Sequence, residues 1–283
     1  MGVSNPSADE SRDLRDFSGL IALAGAGKMG GALLDGWLRA GLDPAKVAVI
    51  EPNPAPQISA LAACGVRLNP AAAALSDVTA IVIAVKPQTA DQAMPAIAPM
   101  IGPTTLVVSI MAGRTLQFLS RSLKNAGAFV RAMPNTPASI GRGITVAVPL
   151  RASAAQRDLA HRLLAATGTV EWVADESLMD AVTAVSGSGP AYVFLLAEAL
   201  AQAGAAAGLP QTLADQLARE TVAGAGELLH QSTLAAATLR ENVTSPGGTT
   251  AAALDVLMAD DGLASLLRKA VAAATERSRK LAS

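Results

Sequence analysis

A chain of 283 residues with a formal net charge of −1 is long enough for two ordinary domains, each with its own core. Aromatic side chains make up only 2% of it, so the basic stripe and stacking platforms of a nucleic-acid binder are missing and that class is disfavoured. The single cysteine, Cys64, excludes an internal disulfide framework, fits a reducing compartment, and reads most simply as a small buried apolar residue.

Met1–Ser18 interleaves acids and arginines without an apolar run, so it is expected to be a frayed polar extension and not a secretory signal. From Gly19 to Ala174, short β-branched runs alternate with helical ones. The predicted strands are Leu20–Ala24, Val47–Ile50, Ala80–Val85, Leu106–Ile110, Ala128–Ala132, Thr145–Val148 and Thr169–Val173. Gly30–Ala40, Ala55–Cys64, Leu116–Asn125 and Ser153–Ala166 are the helical candidates between them. Buried strands alternating with helices imply an α/β fold with a mainly parallel sheet covered on both faces.

After Asp175 the strand signal stops. Ser177–Val185, Ala191–Ala207, Pro210–His230, Leu234–Glu241, Thr250–Met258 and Gly262–Leu281 all carry helical patterns, with Gly208 and Pro210 in stop-then-start order. The division is therefore an extension over 1–18, a dinucleotide-binding domain of Rossmann type over 19–174, and an all-helical domain over 175–283. The apolar run Ala191–Leu209 carries Glu198 and Gln202 and is broken by Gly204 and Gly208. It is expected to be a buried helix, not a membrane span, in a soluble cytoplasmic protein.

Leu20–Ala24 runs into Gly25-Ala26-Gly27-Lys28-Met29-Gly30 and then into a helix, which is the context that gives Gly-x-Gly-x-x-Gly its meaning. The first glycine permits the tight turn, the second lets backbone approach a pyrophosphate, and the third lets helix pack on strand. Glu51 ends the second strand 21 residues past Gly30, where an acid meets the adenosine ribose, or else it simply caps a loop. At the ribose, its charge favours NADH and repels the 2′-phosphate of NADPH. Two more loops leave strand ends: Ala84-Val85-Lys86-Pro87, with Lys86 near the pyrophosphate or the nicotinamide ribose or else in solvent, and Met111-Ala112-Gly113, whose Ala112 and Gly113 are small enough to back a flat ring. Met133–Ala138, held by two prolines, faces the same rim or is a rigid turn.

Thr244–Thr250 breaks the helical pattern of the second half. Pro246 and Gly247-Gly248 interrupt it, and the next helix opens on Thr249 and Thr250. Free N–H groups and two hydroxyls at a positive helix end suit a small carboxylate; the plainer alternative is a helix–helix turn with Thr249 as N-cap.

Gly25–Met29, Ala84–Gln88, Arg131–Ala138, Ser186–Tyr192 and Val243–Thr250, in this order and spacing, resemble pyrroline-5-carboxylate reductase. The resemblance runs from about Leu20 to Leu281, and its last two segments are highly specific together. It implies NADH- or NADPH-dependent reduction of 1-pyrroline-5-carboxylate to L-proline, the last step of proline biosynthesis. It also implies a homodimer, with larger assemblies of dimers compatible, and active sites built between two chains. By the same resemblance Thr250 contacts substrate, Thr249 and Gly248 offer N–H groups to its carboxylate, Asn242 lies near the nicotinamide, and Glu176 lies near the substrate. No metal is assigned. In two places the chain departs from the family pattern. Glu51-Pro52 stands where many members carry Ser, Asn or Arg, and Pro70–Ala74 lacks an asparagine that holds the adenosine in some members.

The chemistry is consistent with that resemblance. A cyclic imine needs a hydride on carbon and a proton on nitrogen, and it arrives partly protonated, so a strong general acid is not obligatory. Positioning carries most of the work, with the Thr250 hydroxyl as the candidate to bond the ring nitrogen and relay a proton. His161 and His230 lie in helices away from the glycine loops, and Tyr192 reads as a packed residue. A hydroxyacid dehydrogenase would need a Lys or His base, and Asp175–Arg240 has no lysine. A non-catalytic NAD sensor would have no need of the threonine turn.

Overall fold

The computed structural model describes residues 13–75 and 78–282. Its elements form two compact units: the residues up to Gly187 together with those from Glu276 onward, and Ser188–Thr275.

In the first unit, strands β1 (Leu20–Ala24), β2 (Val47–Ile50), β3 (Arg67–Leu68), β4 (Val78–Ile83), β5 (Leu106–Ser109), β6 (Ala128–Met133), β7 (Gly143–Leu150) and β8 (Gly168–Trp172) make one sheet. Among the described residues its order is β3-β2-β1-β4-β5-β6-β7-β8. Helices α1 (Lys28–Arg39), α2 (Pro56–Ala60), α3 (Ala90–Ile97), α4 (Leu116–Ser122) and α5 (Ala154–Ala165) connect the strands. Alternate residues feed opposite faces, as period-two geometry demands. Ile21, Leu23, Val82 and Val108 join one core with Leu33, Leu34 and Trp37 of α1 and Leu163 and Leu164 of α5. Ala22, Ile81, Ile83 and Val107 join the other with Met94 and Ile97 of α3 and Leu116 and Leu119 of α4. The Trp37 indole N–H donates to the Leu163 carbonyl at 2.8 Å, so a fully buried ring also has its one polar atom satisfied.

All pairings are parallel except β6 with β7. The nine residues between Met133 and Gly143 form only a 3₁₀ turn, Thr136–Ile140, too short for the crossover that a parallel pair requires. From β7 to β8, α5 supplies that crossover and the parallel direction returns.

Three expectations are corrected here. The segment before Ser18 is not frayed where it is described: Leu14 is 0% exposed and Phe17 8%, both in the core with Leu33 and Leu42. Two apolar side chains three residues apart suffice to dock it, and the Leu14 N–H donates to the Ala40 carbonyl at 3.0 Å while Arg162 holds the Asp13 carbonyl and Asp16. The rest of that extension, residues 1–12, lies outside the described residues. Cys64 is exposed, because it ends a 3₁₀ turn, Leu61–Cys64, that contributes no buried residue.

The third correction concerns the second unit, α7 (Gly189–Ala206), α8 (Gln211–Gln231), α9 (Ala236–Asn242), α10 (Thr249–Leu257) and most of α11 (Leu263–Ala282). Helix α7 is not buried by its own chain. Among the described residues of this unit only Ala201, Ala214 and Ala218 are buried, where α7 and α8 pack through small side chains. Gly204 lets Ala214 and Leu209 approach. Phe194, Leu195, Leu228, Val256 and Leu266 are more than half exposed. The stretch Glu176–Ala206 is the one helical stretch among the described residues long and apolar enough, by length and composition, to cross a membrane.

The sheet ends at Trp172, near the expected boundary at 174/175, but the compact unit runs on to Gly187. Met179 of α6 (Met179–Val182) and Ala184 are buried, and a π-helical turn, Thr183–Gly187, brings Gly187 against Met133.

Candidate active site

The strand order reverses between β1 and β4, and ligands of such sheets bind outside the carboxyl ends of the strands at that point. A cleft of about 590 Å³ opens there, lined by Gly25 and Gly27, Glu51 to Asn53, Ala84 to Lys86, and Gln92, Ala93 and Ala96 of α3. That volume suits a cofactor-sized ligand.

The three glycines have three different environments. Gly25 has φ +90°, and a Cβ there would meet the Ala84 backbone at 2.8 Å. A Cβ on Gly30 would lie 2.0 Å from the Gly25 carbonyl oxygen, so only glycine lets α1 start this close to the loop. Beside Gly27 nothing lies within 4 Å, leaving open the approach a pyrophosphate needs. Gly27 is also the N-cap of α1, with no side-chain cap bond, so the helix start retains its N–H groups for an anion. Lys28 is exposed at that start, and Met29 is half-buried.

Glu51 closes the cleft on the β2 side. One carboxylate oxygen accepts the Ala26 N–H at 2.9 Å and the other the Asn53 N–H at 3.1 Å. Its backbone is paired with the side chain of Asn69, at 2.8 and 2.9 Å. Asn69 directly precedes Pro70–Ala74, the run that lacks the family's adenosine-holding asparagine. The Asn-Pro pair was a turn signal that could have found it.

The Ala84–Pro87 and Met111–Gly113 loops leave the neighbouring strands β4 and β5. Lys86 is exposed and lines the cleft. Arg114 ties the two loops: it donates to the Pro87 carbonyl at 2.9 and 3.2 Å, pairs with Asp91 at 3.3 Å, and stacks over Phe118 at 4.5 Å. Nothing in the sequence pattern singled it out. Two expectations about the second loop change. Met111 is 2% exposed and packs in the core, and a Cβ on Gly113 would lie 3.3 Å from the Leu281 carbonyl oxygen, which takes the space beside it. Ala112 is the exposed member of the three.

Glu176 is already engaged. Its Oε1 accepts Nη1 of the buried Arg131 and the N–H of Leu116, each at 2.8 Å. Its turn is capped by Asp175, whose carboxyl the Ser177 hydroxyl and N–H hold below the usual carboxylate range. Of the histidines, His161 accepts the Trp172 indole N–H at 3.3 Å, and His230 lies in α8.

In the second unit, Asn242 is the exposed last residue of α9. The chain then turns through Gly247, at φ +69°, and Gly248, not Thr249, is the N-cap of α10. A glycine cap has no side chain to accept the first N–H groups, so those of Thr249 and Thr250 at N1 and N2 are left uncapped. Thr249 is exposed and Thr250 half-buried.

Comparison with known proteins agrees with both units. Residues 176–281 match the family described as pyrroline-5-carboxylate reductase dimerisation, and residues 20–113 match the one described as NADP oxidoreductase, coenzyme F420-dependent. The chain is 38% identical to pyrroline-5-carboxylate reductase of Pseudomonas aeruginosa over 93% of this chain and 96% of that one. For the Synechocystis reductase the identity is 42%, over 84% and 88%. Among solved structures, the pyrroline-5-carboxylate reductase from Coxiella burnetii superposes with a TM-score of 0.86 at 33% identity, covering 94% of this chain and 99% of that chain. The Plasmodium falciparum pyrroline carboxylate reductase with NADP bound gives 0.77 at 28%, covering 93% and 98%.

Proposed function

The chain belongs to the pyrroline-5-carboxylate reductase family, and from that premise we propose how its residues divide the NAD(P)H-dependent reduction of 1-pyrroline-5-carboxylate to L-proline, the last step of proline biosynthesis. The observation that carries the reading is the open flank of Gly27 at the uncapped start of α1, a cradle that any Cβ would fill. Gly25, Ala26, Gly27, Lys28, Met29 and Gly30 would hold the dinucleotide phosphates there, and Lys86 adds positive charge at the rim. The Glu51 carboxylate has lone pairs left to accept from the ribose hydroxyls and repels a 2′-phosphate, which favours NADH. Ala84, Val85 and Pro87, with the exposed Ala112, would form the wall for the nicotinamide half. When bound, the reduced nicotinamide supplies the hydride.

On the substrate side, the N–H groups of Thr249 and Thr250 at the Gly248 cap clamp the carboxylate. The Thr250 hydroxyl bonds the ring nitrogen and relays to it a proton taken from water, so that the hydroxyl itself is left unchanged. Glu176, held by Arg131 and Leu116, acts on the substrate through position and not as an acid. Clamping both partners in near-attack contact supplies most of the rate, in keeping with a site that needs no strong acid. A second copy of the chain covers the apolar faces of α7, α8 and α10, so the protein works as a homodimer or an assembly of dimers.

The test is oxidation of NADH and NADPH with 1-pyrroline-5-carboxylate beside a panel of keto acids. Turnover of a keto acid in preference to the imine would move the chain to the hydroxyacid dehydrogenases.

A further inference from the structure

We propose that Asn69 is a positioning residue for cofactor choice: it clamps Glu51 so that its carboxylate cannot swing away from an incoming 2′-phosphate. The inference rests on Glu51 meeting the adenosine ribose. Strand β3 is only two residues long, and its last pairing is Val49 with Leu68. Beyond it, the backbone of Glu51 would have no partner on that side. Asn69 continues the ladder with its side chain. Its N–H donates to the Val49 carbonyl at 2.8 Å, its Oδ1 accepts the Glu51 N–H at 2.8 Å, and its Nδ2 donates to the Glu51 carbonyl at 2.9 Å.

An amide side chain is what this requires, since it offers one donor and one acceptor in the geometry of a peptide. The position requires it too. Asn69 has φ +48°, a left-handed conformation that asparagine tolerates better than most residues. On the other flank the Gly25 N–H donates to the Ile50 carbonyl at 2.9 Å. The end of β2 is thus held from both sides, and the Glu51 carboxylate, tied to Ala26 and Asn53, is aimed along the glycine loop. A loose carboxylate would rotate towards solvent when a 2′-phosphate arrived and discriminate little. A carboxylate that is held keeps its charge there.

Asn69→Gly keeps the left-handed freedom and deletes both clamp bonds, so strain does not confuse the result. The direct readout is the affinity of NADH and NADPH, titrated by fluorescence without substrate. NADH should weaken about five- to tenfold, the value of one or two uncharged hydrogen bonds. NADPH should hold or tighten. In turnover the change should fall on KM for NADH, with kcat within about twofold. Asn69→Asp, which keeps only the acceptor, should shift preference in the same direction. In Glu51→Ser the glycine substitution should have no further effect on preference, since the clamp then holds nothing charged. If Glu51→Ser shifts the preference and Asn69→Gly, still folded by circular dichroism, does not, the clamp is overturned while the ribose reading stands. If neither shifts it, the ribose reading falls and the clamp with it.

Discussion

Arg131 and Glu176 meet at 2.8 Å, and the same carboxylate oxygen accepts the Leu116 N–H at the start of α4. One atom therefore joins β6, α4 and the turn that follows β8. The Arg131 side chain is 6% exposed, so its charge has little water to fall back on, whereas Glu176 at 28% is partly wet. Removing one partner of a fully buried pair costs about 3–5 kcal/mol. Discounted for that exposure, Glu176→Ala should cost about 2 kcal/mol in urea unfolding at fixed protein concentration, and Glu176→Gln less because it keeps the acceptor. Unchanged stability in Glu176→Ala would refute the clamp, while a raised KM for the imine in Glu176→Gln is expected if the clamp also serves to place the substrate.

The second and third glycines of the loop, Gly27 and Gly30, should separate binding from folding. Gly30→Ala sets a Cβ 2.0 Å from a carbonyl oxygen that α1 cannot leave, so it should destabilise the fold by more than about 2 kcal/mol or abolish expression. Gly27→Ala has room and an allowed backbone at φ −70°, ψ −159°, so the melting temperature should stay within about 2 °C of wild type. Its dinucleotide affinity should nevertheless drop at least tenfold, because the methyl occupies the pyrophosphate's approach. Unchanged affinity in the Gly27 variant would remove the cradle from that loop.

These contrasts also mark what the sequence could show. Leu20–Ala24 and Val47–Ile50 were legible to the residue because buried parallel strands are continuous apolar runs. Helix α3 was not: its apolar positions Ala90, Met94 and Ile97 have helical spacing, but Pro95 inside it reads as a breaker. Nor was the docking of Leu14 and Phe17 readable, since two anchors in a polar segment make no period. The glycine loop and the Thr249–Thr250 turn were visible because each breaks a pattern. The Asn69-Pro70 pair signalled a turn, but its bonds to the Glu51 backbone, like those of Arg114 to the Pro87 carbonyl, join distant loops and are visible only in the fold.

The exposed face of the helical unit predicts the assembly state. Phe194 and Leu195 are 68% and 62% exposed within one chain, and the unit buries almost nothing of its own. Such a face is stable when covered by a second copy, as in obligate interfaces that resemble a divided core. Phe194→Glu should yield monomers or aggregates in sedimentation and lose activity, while the sheet domain keeps its dinucleotide affinity. A stable, active wild-type monomer at micromolar concentration would refute this assignment.

Thr250→Val keeps shape at the second position of α10 and removes only the hydroxyl, leaving the uncapped N–H groups of the turn in place. It therefore separates the proposed bond to the ring nitrogen from the carboxylate clamp. If that bond strengthens as the nitrogen gains its proton, kcat and kcat/KM must fall together. Loss of one such bond costs about 1–3 kcal/mol, roughly ten- to a hundredfold in rate. NADH affinity measured without substrate should hardly move, because the proposed phosphate cradle, Gly25–Gly30, lies in the other unit. Near-normal turnover in a correctly assembled Thr250→Val protein would leave the threonine as backbone alone, with the imine nitrogen taking its proton from water before it binds.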